Sequence, residues 1–320
     1  MKRLSIALIV ACAAVIAGGP ALAQPPVPVA AYKAALATRA PLLAIARAGT
    51  RLVAVGDYGV IVLSDDGGAS WRQAASVATR NTLTAVTFVD ARSGWAVGHG
   101  GTVLRTSDGG ETWIESRSAG NDVALLSVWF GDARHGIAIG AFGFAMETRD
   151  GGASWKEIPI GQGDDSDRHL NGIFVLPGGV LLIAAEAGTL FRSADDGRTW
   201  TALRLPYNGS LWGGLALRSG AALVFGMRGH VLRSVDQGRS WVEAPTGSDQ
   251  SFSGGVELAD GTIALVGLGG VVATSVDDGK SFKSIVRPER QTYAAVGEGA
   301  AGRIAVVGLN GVVAPMAPPE

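Results

Sequence analysis

The 320-residue chain carries 27 basic and 28 acidic side chains, and its formal net charge of −1 argues against nucleic-acid binding, which needs a basic surplus. Apolar residues make up 47% and charged residues 17% of the chain, a balance that excludes global disorder. The 47 glycines follow no collagen-like triplet period and therefore predict many tight turns. Composition thus indicates a neutral, turn-rich β protein and no particular chemistry.

Residues 1–23 have the organisation of an export signal. A basic start, Met1-Lys2-Arg3, precedes the uncharged apolar run 4–17, which is too short to span a bilayer as a helix. Ala21-Leu22-Ala23 then fits a small-x-small cleavage site, so we expect a periplasmic mature chain that begins at Gln24 and has no transmembrane segment. A buried N-terminal helix and a lipoprotein anchored through Cys12, the only cysteine, are the alternatives. Conventional cleavage would leave no thiol for disulfides, catalysis or metal binding.

An internal repeat fills the rest of the chain. Six octets share the pattern Ser/Thr-x-Asp-x-Gly-x-Ser/Thr-Trp/Phe, and their final aromatic residues lie 42, 42, 45, 41 and 41 residues apart. The aspartates are Asp66, Asp108, Asp150, Asp195, Asp236 and Asp277, and the aromatic residues are Trp71, Trp113, Trp155, Trp200, Trp241 and Phe282. A Gly-x-x-Gly marker or a close relative precedes each octet and appears a seventh time, ending at Gly311. Two markers in fixed phase indicate seven copies of one structural unit.

Each unit predicts four short antiparallel strands. In the second unit these are 83–89, 95–97, 102–106 and a strand starting at Trp113, with the octet as the turn between the last two. Four strands per repeat of about 40–50 residues predict an all-β, seven-bladed propeller over residues 42–320. In the octet we expect the aspartate and hydroxyl groups to accept turn N–H bonds, and the aromatic ring to pack between blades. These aspartates are therefore structural rather than a catalytic array.

The two ends of the chain suggest how the ring closes. The seventh unit ends after its third strand, 312–316, and has no octet. Residues 26–36 contain a strand-like stretch before the first unit begins at Leu42. We therefore predict that the N-terminal segment, residues 24–41, supplies the missing outer strand of the last blade and removes an exposed edge.

The octets resemble the Asp-box, or bacterial neuraminidase repeat. Residues 94–113, which run Gly-Trp-Ala-Val-Gly and end in Asp-Gly-Gly-x-Thr-Trp, more closely resemble the photosystem II stability and assembly factor family. That resemblance covers about residues 42–316 and implies a seven-bladed, non-enzymatic scaffold that assists membrane-complex assembly through protein contacts. It also implies a client engaged partly through arginines, with Arg80, Arg168 and Arg290 placed before inner strands in this sequence. Some non-photosynthetic relatives resemble accessories of resistance-nodulation-division-type transporters, which suits an exported protein.

The variable loops predict where a partner binds. The octets and the first-to-second strand turns share one face, while the Gly-x-x-Gly tips and the inter-blade loops share the opposite face, here called the tip face. Because the octets are nearly constant and the tips diverge, we expect a protein partner, such as an envelope membrane protein or complex, to bind the tip face of a monomer. The candidate residues are Tyr58, Arg80, His99, Phe142, Arg168, His169, Glu186, Tyr207, Trp212, Arg228, Arg290 and Asn310.

A glycan-binding or sialidase-like propeller is the alternative function. Arg39-Ala40-Pro41 lies where sialidases carry an Arg-hydrophobic-Pro element, yet Tyr58, Tyr207 and Tyr293 have no recognisable glutamate partner. Other glycosidases need two carboxylates facing the sugar; Asp57 and Glu186 could face one cavity, but nothing in the sequence fixes their separation. The acidic run 164–167 lacks EF-hand spacing, and the four histidines lack paired ligand spacing. We therefore predict no catalytic residue, metal site or cofactor.

Overall fold

The computed structural model describes residues 29–319, which form 28 short strands in seven sheets around a central channel. Blade 1 contains β1 (Leu42–Ala48), β2 (Arg51–Gly56), β3 (Ile61–Ser64) and β4 (Arg72–Gln73). Blade 2 contains β5 (Ser76–Val77), β6 (Leu83–Phe88), β7 (Gly94–Gly98), β8 (Thr102–Thr106) and β9 (Thr112–Ser118). Blade 3 contains β10 (Leu125–Phe130), β11 (Gly136–Gly140), β12 (Ala145–Thr148) and β13 (Lys156–Glu157). Blade 4 contains β14 (Leu170–Val175), β15 (Leu181–Ala185), β16 (Thr189–Ser193) and β17 (Thr201–Arg204).

The remaining three blades repeat this order. Blade 5 contains β18 (Leu211–Ala216), β19 (Ala222–Gly226), β20 (Val231–Ser234) and β21 (Val242–Glu243). Blade 6 contains β22 (Phe252–Glu257), β23 (Ile263–Gly267), β24 (Val271–Ser275) and β25 (Lys283–Val286). Blade 7 contains β26 (Tyr293–Glu298), β27 (Ile304–Gly308) and β28 (Gly311–Met316). Short 3-10 turns cover Ala37–Arg39, Asp57–Gly59, Ala141–Gly143, Gly163–Asp165, Met227–Gly229, Leu268–Gly270 and Ala300–Gly302.

Consecutive strands within a blade are hydrogen-bonded and antiparallel, which confirms the predicted seven-bladed propeller. The exception is β5, which leaves blade 1 and pairs in parallel with β9 of blade 2. The second strand of blades 2 to 7 is buried at every residue, because it lies between the channel-lining first strand and the outer strands. Runs of Ala, Val, Leu and Ile in these strands suit burial on both faces.

The hydrophobic core lies between blades rather than within them. Val53 and Leu63 of blade 1, for example, share a cluster with Leu104 and Trp113 of blade 2. The other clusters join neighbouring blades in the same way, including blade 7 with blade 1. Each blade therefore covers the apolar face of the next, as a repeat that cannot bury its own faces requires.

The predicted closing strand is wrong for the part of the chain that the structure describes. Residues 29–36 form no strand, and β28 has no outer neighbour among residues 29–319; residues 24–28 lie outside the described part. The reason is the 3-10 turn Ala37–Arg39, which packs beside the start of β28: a Cβ on Gly311 would lie 2.1 Å from the Thr38 carbonyl oxygen. The chain before this turn is then held at the junction of blades 1 and 2, where the Ala31 N–H donates to the carbonyl of Val77 in β5 over 2.9 Å.

Blades 7 and 1 instead close the ring by packing face to face. Leu42 and Val62 of blade 1 share a buried cluster with Val307 of blade 7. An ion pair joins Arg47 to Glu298, with the nitrogen and oxygen 3.1 Å apart. No helix within residues 29–319 has the length and apolar character needed to cross a bilayer.

Candidate functional site

The six octets form one repeated hydrogen-bonded turn. In the first, both the Ser64 hydroxyl and the Ser70 N–H donate to Asp66 Oδ1, over 2.8 and 2.9 Å, and the Ser70 hydroxyl donates to Oδ2. The same three bonds surround Asp108, Asp150, Asp195, Asp236 and Asp277. Every aspartate is thus engaged within its own turn, which is a structural arrangement and leaves no carboxylate array for chemistry.

These hydrogen bonds favour the ionised carboxylates. The hydroxyl of the seventh octet residue is the largest cause, and it lowers the pKa of Asp66, Asp150 and Asp195 to about 2. Burial raises the pKa of Asp277, but the surrounding hydrogen bonds outweigh it and the result is again about 2. The octet face therefore carries a ring of aspartates that are ionised at neutral pH and hydrogen-bonded within their own turns.

The octet tryptophans are fastened in the same way, with one exception. The indole N–H groups of Trp71, Trp113, Trp200 and Trp241 donate to the fifth-residue glycine carbonyl of their own octets. In blade 3 the Ser116 hydroxyl donates a hydrogen bond to the Gly152 carbonyl, which is the acceptor that the other octets use for the indole. The buried Trp155 N–H has no partner among the described residues. This position is a local defect in an otherwise repeated motif.

The tips on the opposite face expose large side chains on strained backbone. Tyr58 and Phe142 occupy equivalent tip positions with φ of 56° and 54°, and their side chains are 72% and 73% exposed. Arg228 occupies the equivalent position in blade 5 with φ of 57°, and it is also exposed. Blades 2 and 6 place Gly100 and Gly269 there, which adopt this left-handed conformation without cost. Aromatic residues at positive φ are uncommon, so these tips combine strain with exposed apolar surface.

A small cluster surrounds Phe142. Its ring lies 4.7 Å from the His169 ring, centroid to centroid, and the two planes are tilted by 58°. The His169 backbone N–H donates to a Glu186 carboxylate oxygen over 3.0 Å, so the tip of blade 4 fixes the loop that carries the histidine. The structure therefore brings together three of the predicted residues, one from each of two tips and one from the loop between them.

A second cluster surrounds Tyr207 in blade 5. The Tyr207 hydroxyl donates to the Met227 carbonyl over 3.0 Å, and its ring lies 4.2 Å from the His230 ring, centroid to centroid, with the planes tilted by 34°. His230 in turn lies 2.6 Å from a Glu243 carboxylate oxygen, and burial raises the pKa of Tyr207. Sequence reasoning missed His230 as a site residue, although its position directly after the Met227–Gly229 tip was an available signal.

The predicted arginines are not equivalent. Arg168 pairs with Asp165, whose carboxylate also binds Arg204; although burial raises the pKa of Asp165, the two guanidinium groups lower it overall. Arg80 is occupied by the chain's own N-terminal segment, donating to the Ala30 carbonyl over 2.9 Å. Arg228 and Arg290 are exposed and form no ion pair within residues 29–319. These two are the arginines that a partner can reach directly.

The remaining predicted residues lie at the rim and at the channel. His99 and Asn310 are exposed at the tips of blades 2 and 7. Trp212 is not a loop residue: it is the second residue of β18, at a bulge, and lines the channel mouth. Thr84, Asn171 and Ser253 line the same channel and donate to backbone carbonyls of the following blades, so their polar groups are already used.

The residues considered for sugar hydrolysis do not converge. Tyr293 is buried between blades, and Tyr207 uses its hydroxyl on a backbone carbonyl. Asp57 accepts a hydrogen bond from Thr82, and Glu186 accepts one from His169, each at its own blade. Within the described chain no three His, Cys, Asp or Glu side chains group to hold a metal ion.

One family model matches the sequence. It is described as Photosynthesis system II assembly factor YCF48 and matches residues 120–296. No curated protein sequence matches the chain significantly.

Solved propellers are similar in fold. A structure of YCF48 bound to D1 peptide superposes with a TM-score of 0.70 at 16% identity, covering 88% of this chain and 94% of that one. YCF48 from Cyanidioschyzon merolae gives 0.67 at 15% identity, covering 88% and 96%. The WD40 propeller domain of Doa1 gives 0.69 at 14% identity, covering 92% and 97%. At such identities these likenesses describe the fold.

Proposed function

Because this chain belongs to the Photosynthesis system II assembly factor YCF48 family, we propose that it is a non-enzymatic scaffold that binds a protein partner through its tip face. A family member has been solved with a peptide bound, and that property is extended to this chain here as part of the proposal. Residues 1–23, with their signal-like organisation, support placing the mature protein in the periplasm.

The observation that carries the proposal is the pair of exposed aromatic residues held at positive φ, Tyr58 and Phe142. A non-glycine residue in the left-handed region costs about 1–2 kcal/mol, and strain of this kind clusters at binding and catalytic sites. Aromatic side chains that are rigid and solvent-exposed are the usual anchors of protein interfaces. Arg228 and Arg290 on the same face supply cations for carboxylate or carbonyl groups of the partner.

The partner that this arrangement fits best is an envelope membrane protein or complex. An exported scaffold meets such proteins where their domains emerge from the membrane, and a closed propeller offers a rigid rim that orders a flexible segment of them. We propose that the protein assists the assembly or function of such a complex, and a transporter of the envelope is one client of this class.

A capture experiment tests the tip face against a matched control. The full chain is compared with a tip variant, Tyr58→Ser plus Phe142→Ser, and with an octet-face variant, Val235→Ser plus Val276→Ser. The control valines are 70% and 87% exposed, so the octet-face variant also removes two exposed apolar side chains. The readout is the amount of each envelope protein retained by the immobilised scaffold from solubilised membranes.

We expect the tip variant to retain at least about tenfold less of a specific envelope protein, since each anchor lost from an interface costs about 1–2 kcal/mol or more. The octet-face variant should retain as much as the unaltered chain. Equal retention by both variants would reject the tip face as the binding surface.

A further inference from the structure

The chain's own N-terminal segment is bound to the propeller as an extended peptide. Residues 30–34, here called the strap, cross the outer side of blades 1 and 2 without forming a strand. Side chains and carbonyls of residues 73–80 contact the strap at each of its positions. This surface, here called the strap site, lies apart from the Phe142 and Tyr207 clusters.

The centre of the strap is fixed by Ala31. Its N–H donates to the Val77 carbonyl over 2.9 Å, and its methyl group packs against the hydrophobic cluster between blades 1 and 2. The space there is small: a Cβ on Gly59 would approach the Ala31 methyl group to 3.3 Å. The strap site therefore accepts a small side chain and requires a backbone N–H at this position, which excludes proline.

The next residue is recognised by a guanidinium group. The Tyr32 ring lies under Arg80, with Cζ 3.6 Å from the ring centroid, and Arg80 Nε also donates to the Ala30 carbonyl over 2.9 Å. Arg80 thus contacts both a backbone carbonyl and an aromatic face, a combination that a lysine cannot reproduce in the same geometry.

Gln73 binds the strap backbone on both sides of Lys33. Its side-chain amide donates to the Tyr32 carbonyl over 2.8 Å and accepts the Ala34 N–H over 3.0 Å. Lys33 Nζ donates to the Ala74 carbonyl. A side-chain amide that binds one carbonyl and one N–H of the same segment recognises an extended backbone whatever its sequence. Sequence specificity then comes from the side chains of the bound segment.

We propose that the strap site is a peptide-recognition site whose resident occupant is the strap, and that an extended protein segment with a small, an aromatic and a basic residue in succession displaces it. The strap is suited to exchange because it buries little: Tyr32 is 67% exposed, and Lys33 and Ala34 are also exposed. Displacement frees Arg80 and Gln73 for the incoming segment, which forms the same contacts. None of the strap contacts named above uses the side chain of Tyr58 or Phe142, so partner capture through these two rings can fail while this inference stands.

The test uses a fluorescent peptide with the sequence of residues 29–34, Val-Ala-Ala-Tyr-Lys-Ala, and the full chain. The strap is opened by Ala31→Pro plus Tyr32→Ala, which remove the central N–H and the stacked ring. We expect the strap-opened variant to bind the peptide at least tenfold more tightly than the unaltered chain in fluorescence anisotropy. Adding Gln73→Ala and Arg80→Ala should abolish that gain, and a peptide with proline in place of its second alanine should not bind.

The proposal is overturned if the strap-opened variant keeps its circular dichroism and melting midpoint but gains no affinity for the peptide. Hydrogen exchange on the unaltered chain gives a second reading that needs no variant: saturating peptide should speed exchange of the Ala31 amide, and an unchanged rate contradicts displacement. A dimer of the unaltered chain that disappears in the strap-opened variant would also contradict the proposal, because the occupant would then be the strap of a second copy.

Discussion

Three tip positions show how single residues are held in conformations that their side chains disfavour. Tyr58, Phe142 and Arg228 all adopt φ near 55°, while Gly100 and Gly269 fill the same turn position in other blades. The fold therefore accepts glycine at this position, and the larger residues impose a backbone cost. Ala187 adopts φ of 52° at the tip of blade 4 as well, so the exposed aromatic rings rather than the backbone conformation alone distinguish the tips of blades 1 and 3.

Replacing the two strained aromatics by glycine should not destabilise the protein. Tyr58→Gly and Phe142→Gly each relieve about 1–2 kcal/mol of left-handed strain and lose up to about 1 kcal/mol to the greater freedom of the unfolded glycine. We expect an unchanged or slightly higher urea midpoint for each variant, together with loss of partner capture. A drop of more than about 1 kcal/mol in unfolding free energy would show that these rings pack structurally.

Two octet tryptophans should respond differently to the same substitution. Trp113 donates its indole N–H to the Gly110 carbonyl over 2.9 Å, whereas the Trp155 N–H is buried without a partner in the described chain. Both positions lose similar packing when tryptophan is replaced by phenylalanine. Phenylalanine already occupies this octet position in the sixth repeat, as Phe282. We therefore expect Trp113→Phe to cost about 1 kcal/mol more unfolding free energy than Trp155→Phe, because only the former breaks a hydrogen bond. Equal costs in urea denaturation would contradict this reading.

At the scale of elements, the octet turn is the feature from which the strands of each blade can be predicted. Its hydrogen bonds close within eight residues, so local sequence alone specifies it, and the strands on either side follow from it. The predicted 102–106 strand coincides with β8, and the predicted 83–89 strand exceeds β6 by one residue. By contrast, the clustering of Tyr207 with His230 depends on contacts between a loop and the following tip, which no local pattern contains.

The N-terminal segment shows where sequence reasoning failed. Residues 26–36 have strand-like composition, but tertiary contacts decide the placement of the described part, residues 29–36. These contacts are the Ala37–Arg39 turn beside β28 and the hydrogen bonds of Gln73 and Arg80 to the strap. An alanine-rich segment has weak intrinsic β propensity, so such contacts override it. Closure of the ring by packing between blades 7 and 1 also depends on tertiary contacts, so the repeat pattern of the sequence could not predict it.

Acid stability should follow the octet aspartates. Because the pKa of Asp66, Asp150, Asp195 and Asp277 is lowered from 3.8 to about 2 on folding, their contribution is complete above pH 4 and is lost as the pH falls toward 2. We expect a melting midpoint by circular dichroism that is insensitive to these groups between pH 7 and about 4.5 and falls steeply below pH 4. The backbone N–H groups that donate to these carboxylates do not ionise between pH 7 and pH 2, so the change in stability comes from protonation of the carboxylates. A flat midpoint down to pH 2 would show that the turns do not depend on ionised carboxylates.

At the scale of the whole molecule, each blade supports the next, and the junction of blades 7 and 1 completes the ring. Leu42 is fully buried there beside Val62 and Val307. Leu42→Ala should cost about 2–5 kcal/mol and lower the midpoint of a single transition, because a closed ring loses all its interfaces together. Val276→Ala, at an exposed octet position, is the matched control and should change stability by less than about 0.5 kcal/mol. A second, separate transition in Leu42→Ala would show that the blades unfold independently.

The ring leaves two chemically different faces: a constant octet face of satisfied aspartates and a variable tip face with exposed aromatics. The central claim is that partners meet the second of these. The most direct measurement places the photo-crosslinking residue p-benzoylphenylalanine at position 142 or at position 276 of the full chain in intact cells. We predict that irradiation joins an envelope protein to position 142, with its adduct lost on Tyr58→Ser, and gives no such adduct from position 276; adducts of equal yield from both positions, or from position 276 alone, would contradict the account.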